Sequence, residues 1–250
     1  MQFQHRQTHV PTFSLSRSLR AAALAGAACS ATAVVAAPAA SAADVSVPGK
    51  CYVYWPGQGS QPIPFKISGL AASQSVKVSL NVKNQLVSGV PSLTADTTGA
   101  IDSGIGTWTS GLRNGPTKST KANIVVNDLA TGAEVASTNF KVANVGFKVD
   151  ASTKRAGTKR VWEISGLASV GESAGGGKVY YAYYFKGKKQ VGKQRLGKST
   201  DACGYIRVKK VLIPFRKTGT FTVKVQASRT WKGDALPWIG GTVQSYVRYR

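Results

Sequence analysis

Few side chains of this chain can carry out chemistry. Both histidines, His5 and His9, lie in the first 42 residues, and so does Cys29, the first of three cysteines. Removal of this segment as an export signal would leave no imidazole for a Ser-His-Asp site or for a metal ion. The two remaining thiols, Cys51 and Cys203, do not complete a tetrahedral zinc site. We therefore expect no histidine-based catalytic site, no metal and no cofactor.

The ten acidic residues leave one kind of enzyme open, because two carboxylates can hydrolyse a glycosidic bond without histidine. All ten follow residue 42, but they are scattered, and no two form a convincing pair. Residues 96–99 and 128–132 have the composition of hairpin turns and lack the spaced ligands of a calcium loop. We predict that the protein is not an enzyme, and we keep a carboxylate-dependent carbohydrate-active enzyme as an alternative.

Basic residues dominate the charge and lie mainly in the second half of the chain. The net charge is +23, and 33 Lys and Arg residues stand against 10 Asp and Glu residues. Residues 43–144 hold 8 basic and 5 acidic residues, whereas residues 145–250 hold 22 and 5. A basic patch on two facing strands would attract polyanions through charge and counterion release. The candidate polyanion-binding residues are Lys186, Lys188, Lys189, Lys193, Arg195, Arg207, Lys209 and Lys210.

Outside the cell, such a patch would suit an acidic wall polymer, an anionic polysaccharide or an anionic membrane surface. No recognised nucleic-acid motif is present, so we expect no specific nucleic-acid recognition. The alternative is a solvated lysine-rich face that keeps an exported protein soluble and protects its sheet edges.

Residues 228–238 combine two tryptophans with two basic residues in an expected loop. This combination is used for stacking on sugars or bases. The alternative is that both tryptophans fold back and cap the β-sandwich. The candidate residues of this aromatic loop are Arg229, Trp231, Lys232 and Trp238.

The first 42 residues have the pattern of a signal peptide. Arg6, Arg17 and Arg20 precede an alanine-rich run, and the small residues Ala40-Ser41-Ala42 offer a cleavage site. Ala43 would then begin a secreted or extracellular protein, with retention at the cell wall left open. Loss of the three arginines would lower the net charge from +23 to +20.

The rest of the chain has the pattern of a duplicated β-domain. The sequence ISGLA at residues 67–71 recurs at residues 164–168, an offset of 97 residues. Each copy is followed by alternating apolar residues, first Val76-Val78-Leu80-Val82 and then Val179-Tyr181-Tyr183-Phe185. We predict an all-β protein with two tandem immunoglobulin-like antiparallel β-sandwiches, the first over residues 43–144 and the second over residues 145–250.

The aromatic residues divide between expected core and expected surface. Trp108 and Trp162 stand where a sandwich places core residues, so we expect both to be buried. Tyr180 and Tyr184 fall on the strand face opposite Tyr181 and Tyr183, and we expect that face to be exposed.

Several short motifs are similar to those of a known group of proteins. In the second unit these are Val179-Tyr180-Tyr181-Ala182-Tyr183, Lys186-Gly187-Lys188, Arg195-Leu196-Gly197 and Cys203-Gly204, and Cys51-Tyr52 stands in the first. Together they resemble secreted actinobacterial proteins with immunoglobulin-like domains. The resemblance spans most of the chain after residue 42, and it implies only the fold and export.

The topology of such a sandwich predicts a disulfide between Cys51 and Cys203. Cys51 follows the first strand and lies near the second unit, and Cys203 falls in a loop at the end that faces the first unit. The two thiols could therefore meet across the junction and fix a groove between the domains, bordered by the loop with Trp231 and Trp238. Free thiols or a link to another molecule are the alternative.

Together these features favour a non-enzymatic secreted or cell-surface binding or adhesion module for anionic envelope or extracellular polymers. A secreted small-molecule carrier, which would need a deep apolar pocket in one sandwich, is the first alternative. The carboxylate-dependent carbohydrate-active enzyme is the second alternative.

Overall fold

The computed structural model describes residues 42–109, 111–150, 157–167, 177–236 and 238–245. These residues form an all-β structure, as predicted, with one short 3-10 turn at Gly233–Ala235. The strands of the first sandwich are β1 (Asp44–Ser46), β2 (Cys51–Trp55), β3 (Gly59–Ser60), β4 (Ile63–Ser68), β5 (Ser75–Val82), β6 (Gln85–Thr94), β7 (Ile101–Ile105), β8 (Thr120–Asp128) and β9 (Glu134–Asn144). The strands of the second sandwich are β10 (Gly146–Val149), β11 (Lys159–Ser165), β12 (Val179–Lys186), β13 (Lys189–Lys198), β14 (Ile206–Val211), β15 (Gly219–Gln226) and β16 (Trp238–Ser245).

The two sandwiches share one strand connectivity. In the first, the sheet β1-β4-β7 faces the sheet β3-β2-β9-β8-β5-β6, and in the second, β10-β11-β14 faces β13-β12-β15-β16. The order β6-β5-β8-β9 in the first sandwich corresponds to β13-β12-β15-β16 in the second. Strand pairing is antiparallel throughout the described residues except between β2 and β9, which are parallel. The prediction of tandem immunoglobulin-like sandwiches is therefore confirmed, with one parallel pair added.

Alternating apolar side chains build the core of the first sandwich. Ile63, Phe65 and Ile67 point inward from β4, and Leu80 of β5 meets Ile124 of β8 across the sheet. All five are at most 1% exposed. Burial of each side chain of this size stabilises the fold by about 1.5–3 kcal/mol. Trp108 and Trp162 are 5% and 0% exposed, so their predicted core positions are confirmed.

The repeated ISGLA segment ends equivalent strands. Ile67 and Ser68 close β4, and Ile164 and Ser165 close β11. The glycine that follows has a φ of 78° at Gly69 and 84° at Gly166, in the left-handed region that favours glycine. A Cβ at Gly166 would also lie 2.7 Å from Cγ2 of Val145. Both copies thus end a strand at a glycine in the left-handed region.

Strand β2 is buried on both faces, because it serves two hydrophobic clusters. Tyr52 packs into the first core, where its ring meets Phe140 edge-on at 5.5 Å between centroids. Cys51 and Val53 point to the other side and belong to the cluster of the second sandwich. Contacts between Cα atoms join the chain from Ala39 onward into one compact unit, so the domain boundary at residues 144 and 145 stays a prediction.

Polar groups also join the two sandwiches. The Ser165 hydroxyl donates to the carbonyl of Asn144 over 2.6 Å and accepts from the backbone N–H of Thr117 over 3.1 Å. The Asp201 carboxylate of the second sandwich accepts from the Ser119 N–H of the first over 2.7 Å. Within the first sandwich, the side-chain amide of Asn144 donates to the Arg113 carbonyl over 2.6 Å. Asn144 and Ser165 are fully buried, and these bonds satisfy the Asn144 amide nitrogen and the Ser165 hydroxyl, which would be costly to leave unpaired; Asn144 Oδ1 is buried without a partner among the described residues.

A disulfide links Cys51 to Cys203 across this junction, with 5.4 Å between the two Cα atoms. The predicted bridge is therefore confirmed. Cys203 lies in the connection between β13 and β14, at the end of the second sandwich that faces β2. The predicted signal peptide lies outside the described residues apart from Ala42. Among the residues described, no helix is long and apolar enough to cross a membrane.

Two carboxylates organise turns. Asp96 Oδ1 accepts from the N–H groups of Thr98 and Ala100 over 2.8 and 2.9 Å. Asp128 Oδ1 accepts from the Thr131 N–H over 2.7 Å. Turn conformations are confirmed for both segments, although residues 96–99 connect strands of different sheets instead of forming a hairpin.

We expect the stability of the protein to fall in acid partly through Asp128. A hydrogen bond from the Gln74 side chain, followed by those from Thr131, lowers the pKa of Asp128 below its ordinary value of 3.8. Because the folded-state pKa is the lower one, this contribution is complete above pH 4 and is lost as the pH falls through the lowered pKa. Thermal unfolding below pH 4 should show a weaker pH dependence for Asp128→Asn than for the wild type. The matched control is Glu134→Gln, which removes one charge from an exposed strand position. If both changes reduced the pH dependence of unfolding equally, the acid sensitivity would not come from Asp128 in particular.

Candidate functional site

The outer face of the sheet β13-β12-β15-β16 brings cations and aromatic rings into rows. In an antiparallel sheet, directly paired residues lie on the same face. One row runs Arg195, Tyr181, Gln226, Trp238 across the four strands, and the next runs Lys193, Tyr183, Lys224, Gly240. No carboxylate lies in either row.

The connection between β15 and β16 folds back over this face. The ring of Trp231 lies 5.3 Å from the rings of both Tyr183 and Phe185 and 6.4 Å from that of Trp238, measured between centroids. Tyr183 is fully buried and Phe185 nearly so, and the Tyr183 hydroxyl donates to the Ser228 carbonyl. Both Trp231 and Trp238 remain partly exposed. The alternative predicted that both tryptophans fold back and cap the sandwich. Trp231 does fold back over the outer face, whereas Trp238 is the first residue of strand β16.

Gln226 holds this connection to the sheet. Its side chain is fully buried and donates to the carbonyls of Gly233 and Leu236 over 3.0 and 2.9 Å. Its Oε1 accepts from the Lys232 N–H over 3.0 Å. One glutamine therefore satisfies three backbone groups of the connection and fixes its course.

Lys224 lies among the aromatic rings. Its Nζ is 3.8 Å from the ring centroid of Trp238, 5.5 Å from that of Trp231 and 5.8 Å from that of Phe185. These distances allow cation–π attraction. Gly240, the strand neighbour of Lys224, adds no side chain beside it. We call the group Tyr181, Lys193, Arg195, Lys224, Trp231 and Trp238 the aromatic–cationic face.

The structure divides the eight basic residues predicted as one patch. Lys193 and Arg195 belong to the aromatic–cationic face, and the Lys193 ammonium lies 5.9 Å from the Tyr181 ring and donates to the Arg229 carbonyl over 3.1 Å. Lys186, Lys188 and Lys189 are exposed at the turn between β12 and β13. Arg207, Lys209 and Lys210 lie on β14, an edge strand of the opposite sheet.

Arg207 also has a partner of its own, because its Nε lies 2.8 Å from the Glu163 carboxylate. The residues predicted as one patch on two facing strands therefore fall into three groups: the outer face of one sheet, the turn between β12 and β13, and the edge strand β14 of the other sheet. Arg229 and Lys232 of the predicted aromatic loop are exposed beside the face.

The prediction that Tyr180 and Tyr184 are exposed is wrong. Both are fully buried, and their hydroxyls donate to the carbonyls of Gly204 over 2.6 Å and Leu212 over 2.9 Å. Burial raises the pKa of Tyr184 well above its ordinary value. Both faces of β12 are aromatic, so its alternation alone did not show which face is the core.

The sequence reasoning also missed Lys224 and Gln226. Their signal was the polar half of the alternation in β15, which places Thr220, Thr222, Lys224 and Gln226 on the face opposite the buried residues. That pattern indicates the outward face, but it does not reveal that a distant connection covers it.

A groove lies at the junction of the two sandwiches, beside the aromatic–cationic face. It has a volume of about 640 Å³ and takes its walls from both sandwiches. Trp55, Pro56 and Gln58 come from the first, and Phe147, Asp234 and Trp238 from the second. The Trp238 indole N–H donates to Asp234 Oδ1 over 2.7 Å. We call this the junction groove; it lies where the sequence predicted a groove bordered by the aromatic loop.

The described residues contain no group of three or more His, Cys, Asp or Glu side chains placed to hold a metal ion. The chemistry that the site offers consists of aromatic faces, exposed cations and one exposed carboxylate.

No protein-family model matches the chain, and no curated protein matches it. Among solved structures, similarity is found to a β-glycosidase from Bacteroides vulgatus, with 14% identity and a TM-score of 0.26, over 82% of this chain and 25% of that one. A tetra-tandem repeat of a large adhesion protein has 13% identity and a TM-score of 0.27, over 80% and 47% of the two chains. The E. coli chaperone DraB has 12% identity and a TM-score of 0.27, over 80% and 94%. This chain thus spans a quarter of the glycosidase, and similarities this weak carry no argument about activity.

Proposed function

We propose that the protein is a secreted, non-enzymatic binding module that holds an anionic polymer of the cell envelope on the aromatic–cationic face. The observation that carries this proposal is the placement of Lys193, Arg195 and Lys224 on one sheet face, in cross-strand rows without a carboxylate. Neighbouring cations at strand spacing can each neutralise one charge of a polymer and release a counterion.

The aromatic rings of the face support a binding role over a merely solvating one. A lysine-rich face that only keeps a protein soluble has no need of tryptophans, whereas Trp231 and Trp238 remain partly exposed next to Lys224. Aromatic surface next to cations offers stacking and charge to the same ligand.

Export is the second part of the proposal. The signal-peptide pattern of the first 42 residues supports it, and so does the Cys51–Cys203 disulfide, because such bridges persist in oxidising compartments. The resemblance to secreted actinobacterial proteins with immunoglobulin-like domains points to the same location.

Binding to long-chain polyphosphate and to isolated wall teichoic acid at two salt concentrations tests the proposal. We expect the double change Lys193→Gln with Arg195→Gln to weaken binding and to lower the slope of log K against log salt by nearly one per contact removed. The matched control is Lys77→Gln with Lys159→Gln, which removes the same charge from exposed positions on two other sheets.

The control pair should leave both the affinity and the salt slope close to those of the wild type. Equal losses in the two double variants would show that only net charge matters and would contradict a site on this face. Absence of binding by the wild type at low salt would refute the proposed function altogether.

A further inference from the structure

We propose that the junction groove binds a sugar ring, so that the anionic polymer held by the neighbouring face is a glycan. The inference deepens the proposed function and rests on it for the charged part of the ligand. The junction groove has a volume of about 640 Å³, which lies within the range of about 300–1,000 Å³ that small-molecule sites occupy.

The walls of the groove match the two kinds of surface that a sugar ring presents. Trp55, Phe147 and Trp238 line it with aromatic surface, and each of them is partly exposed. The C–H faces of a pyranose pack against such rings. Asp234 and Gln58, both exposed, add a carboxylate and an amide that bind ring hydroxyls. An acyl chain offers no hydrogen-bonding group to these two polar side chains, so a lipid fits the groove less well.

Asp234 determines which part of the ligand enters. Its Oδ1 is held by the indole N–H of Trp238, which orients the carboxylate at the groove. A carboxylate accepts strong, charge-assisted hydrogen bonds from hydroxyl groups and repels an anion. The groove therefore favours an uncharged ring, while the acidic groups of the same polymer meet the cations outside.

Trp238 connects the two parts of the site. It lines the groove, and the Nζ of Lys224 lies 3.8 Å from its ring centroid on the aromatic–cationic face. A chain that alternates neutral rings with acidic groups can thus contact the groove and the cations at once. A polyanion without sugar rings would contact only the cations.

The groove is held in shape before any ligand arrives. The Cys51–Cys203 disulfide and the hydrogen bonds Ser165–Asn144 and Ser119–Asp201 join the two sandwiches that supply its walls. Walls that need no rearrangement lower the entropic cost of binding a small ligand.

Calorimetric titration of the full chain with three probes tests the inference. The probes are a hyaluronan tetrasaccharide, which alternates glucuronate with N-acetylglucosamine, the neutral N-acetylglucosamine tetramer, and polyphosphate. We expect the wild type to bind all three, with the acidic tetrasaccharide bound more tightly than the neutral one. Trp55→Ala should lower the affinity for both saccharides about tenfold, which corresponds to a loss of about 1.4 kcal/mol of binding free energy. The same change should leave polyphosphate binding unchanged.

Two further variants test the role of Asp234 and control for unfolding. Asp234→Asn preserves the shape of the side chain and the oxygen that accepts from Trp238. It should lower the affinity for the neutral tetramer, because the charge-assisted hydrogen bonds to its hydroxyl groups are lost. Trp55→Phe retains a ring and should restore much of the affinity that Trp55→Ala loses, which excludes unfolding as the cause.

The outcomes separate the inference from the proposed function. Binding of polyphosphate but of neither saccharide, or saccharide binding that Trp55→Ala leaves unchanged, would overturn the inference and leave the proposed function standing. Binding of the neutral tetramer that depends on Trp55, without binding of any anion, would support the groove and overturn the proposed function.

Discussion

Replacing both Cys51 and Cys203 by alanine is expected to lower the free energy of unfolding by about 5 kcal/mol in the chain-entropy model. The bridge spans 152 residues, so it removes many conformations from the unfolded chain. Alanine suits the test because both positions are buried, at 6% and 0% exposure, and a serine hydroxyl there would need a new hydrogen bond. Urea unfolding of the double variant and the wild type measures the difference.

The same double variant should also loosen the junction groove. Without the bridge, the Ser165–Asn144, Thr117–Ser165 and Ser119–Asp201 hydrogen bonds still hold the sandwiches together. We therefore expect a folded double variant with weaker saccharide binding, and faster amide exchange near Cys203. The control is the pair Ala130→Ser and Ala133→Ser in the exposed turn between β8 and β9. This pair should change neither saccharide binding nor amide exchange near Cys203. A stability loss below about 1 kcal/mol would show that the bridge does not constrain the unfolded chain as inferred.

Gln226→Leu is expected to cost about 2–4 kcal/mol and to release the connection between β15 and β16. Leucine fills a similar volume but leaves the Gly233 and Leu236 carbonyls and the Lys232 N–H without their buried partner. Each buried group left unsatisfied costs about 1–3 kcal/mol, and partial hydration of the connection offsets some of this. Chemical unfolding measures the stability change.

Loss of the Gln226 contacts should also be visible in fluorescence. Trp231 rests on Tyr183 and Phe185 only while the connection lies on the sheet, so its emission should shift to longer wavelength. Gln244→Leu is the matched control, because Gln244 is exposed on β16. Unchanged emission and stability in Gln226→Leu would mean that other contacts hold the connection in place.

The alternation of apolar residues predicted several strands correctly, wherever only one face is apolar. In β5, Val76, Val78, Leu80 and Val82 are all fully buried, and the residues between them are polar. A one-residue shift would move the whole set to solvent, so such a strand specifies its own inward face. The disulfide was also predictable, because strand direction reverses at each turn and places Cys203 at the junction end.

The aromatic strand β12 shows where this reasoning stops. Tyr180 and Tyr184 face the core, and Tyr183 and Phe185 lie under a connection that starts more than forty residues later. With apolar rings on both faces, alternation carries no preference, and the choice depends on which distant segment covers each face.

Alternation, turn composition and charge counts were enough to predict the strands with one apolar face, the positive charge of the second half and the Cys51–Cys203 bridge. Which cations lie together on one face depends on the tertiary fold. Arg195 and Arg207 are twelve residues apart, yet their strands pair with different neighbours and belong to opposite sheets, whereas Lys193 lies in one row with Lys224. Local periodicity shows which way a side chain points within its strand, but strand pairing between distant segments determines its neighbours, and the site consists of those neighbours.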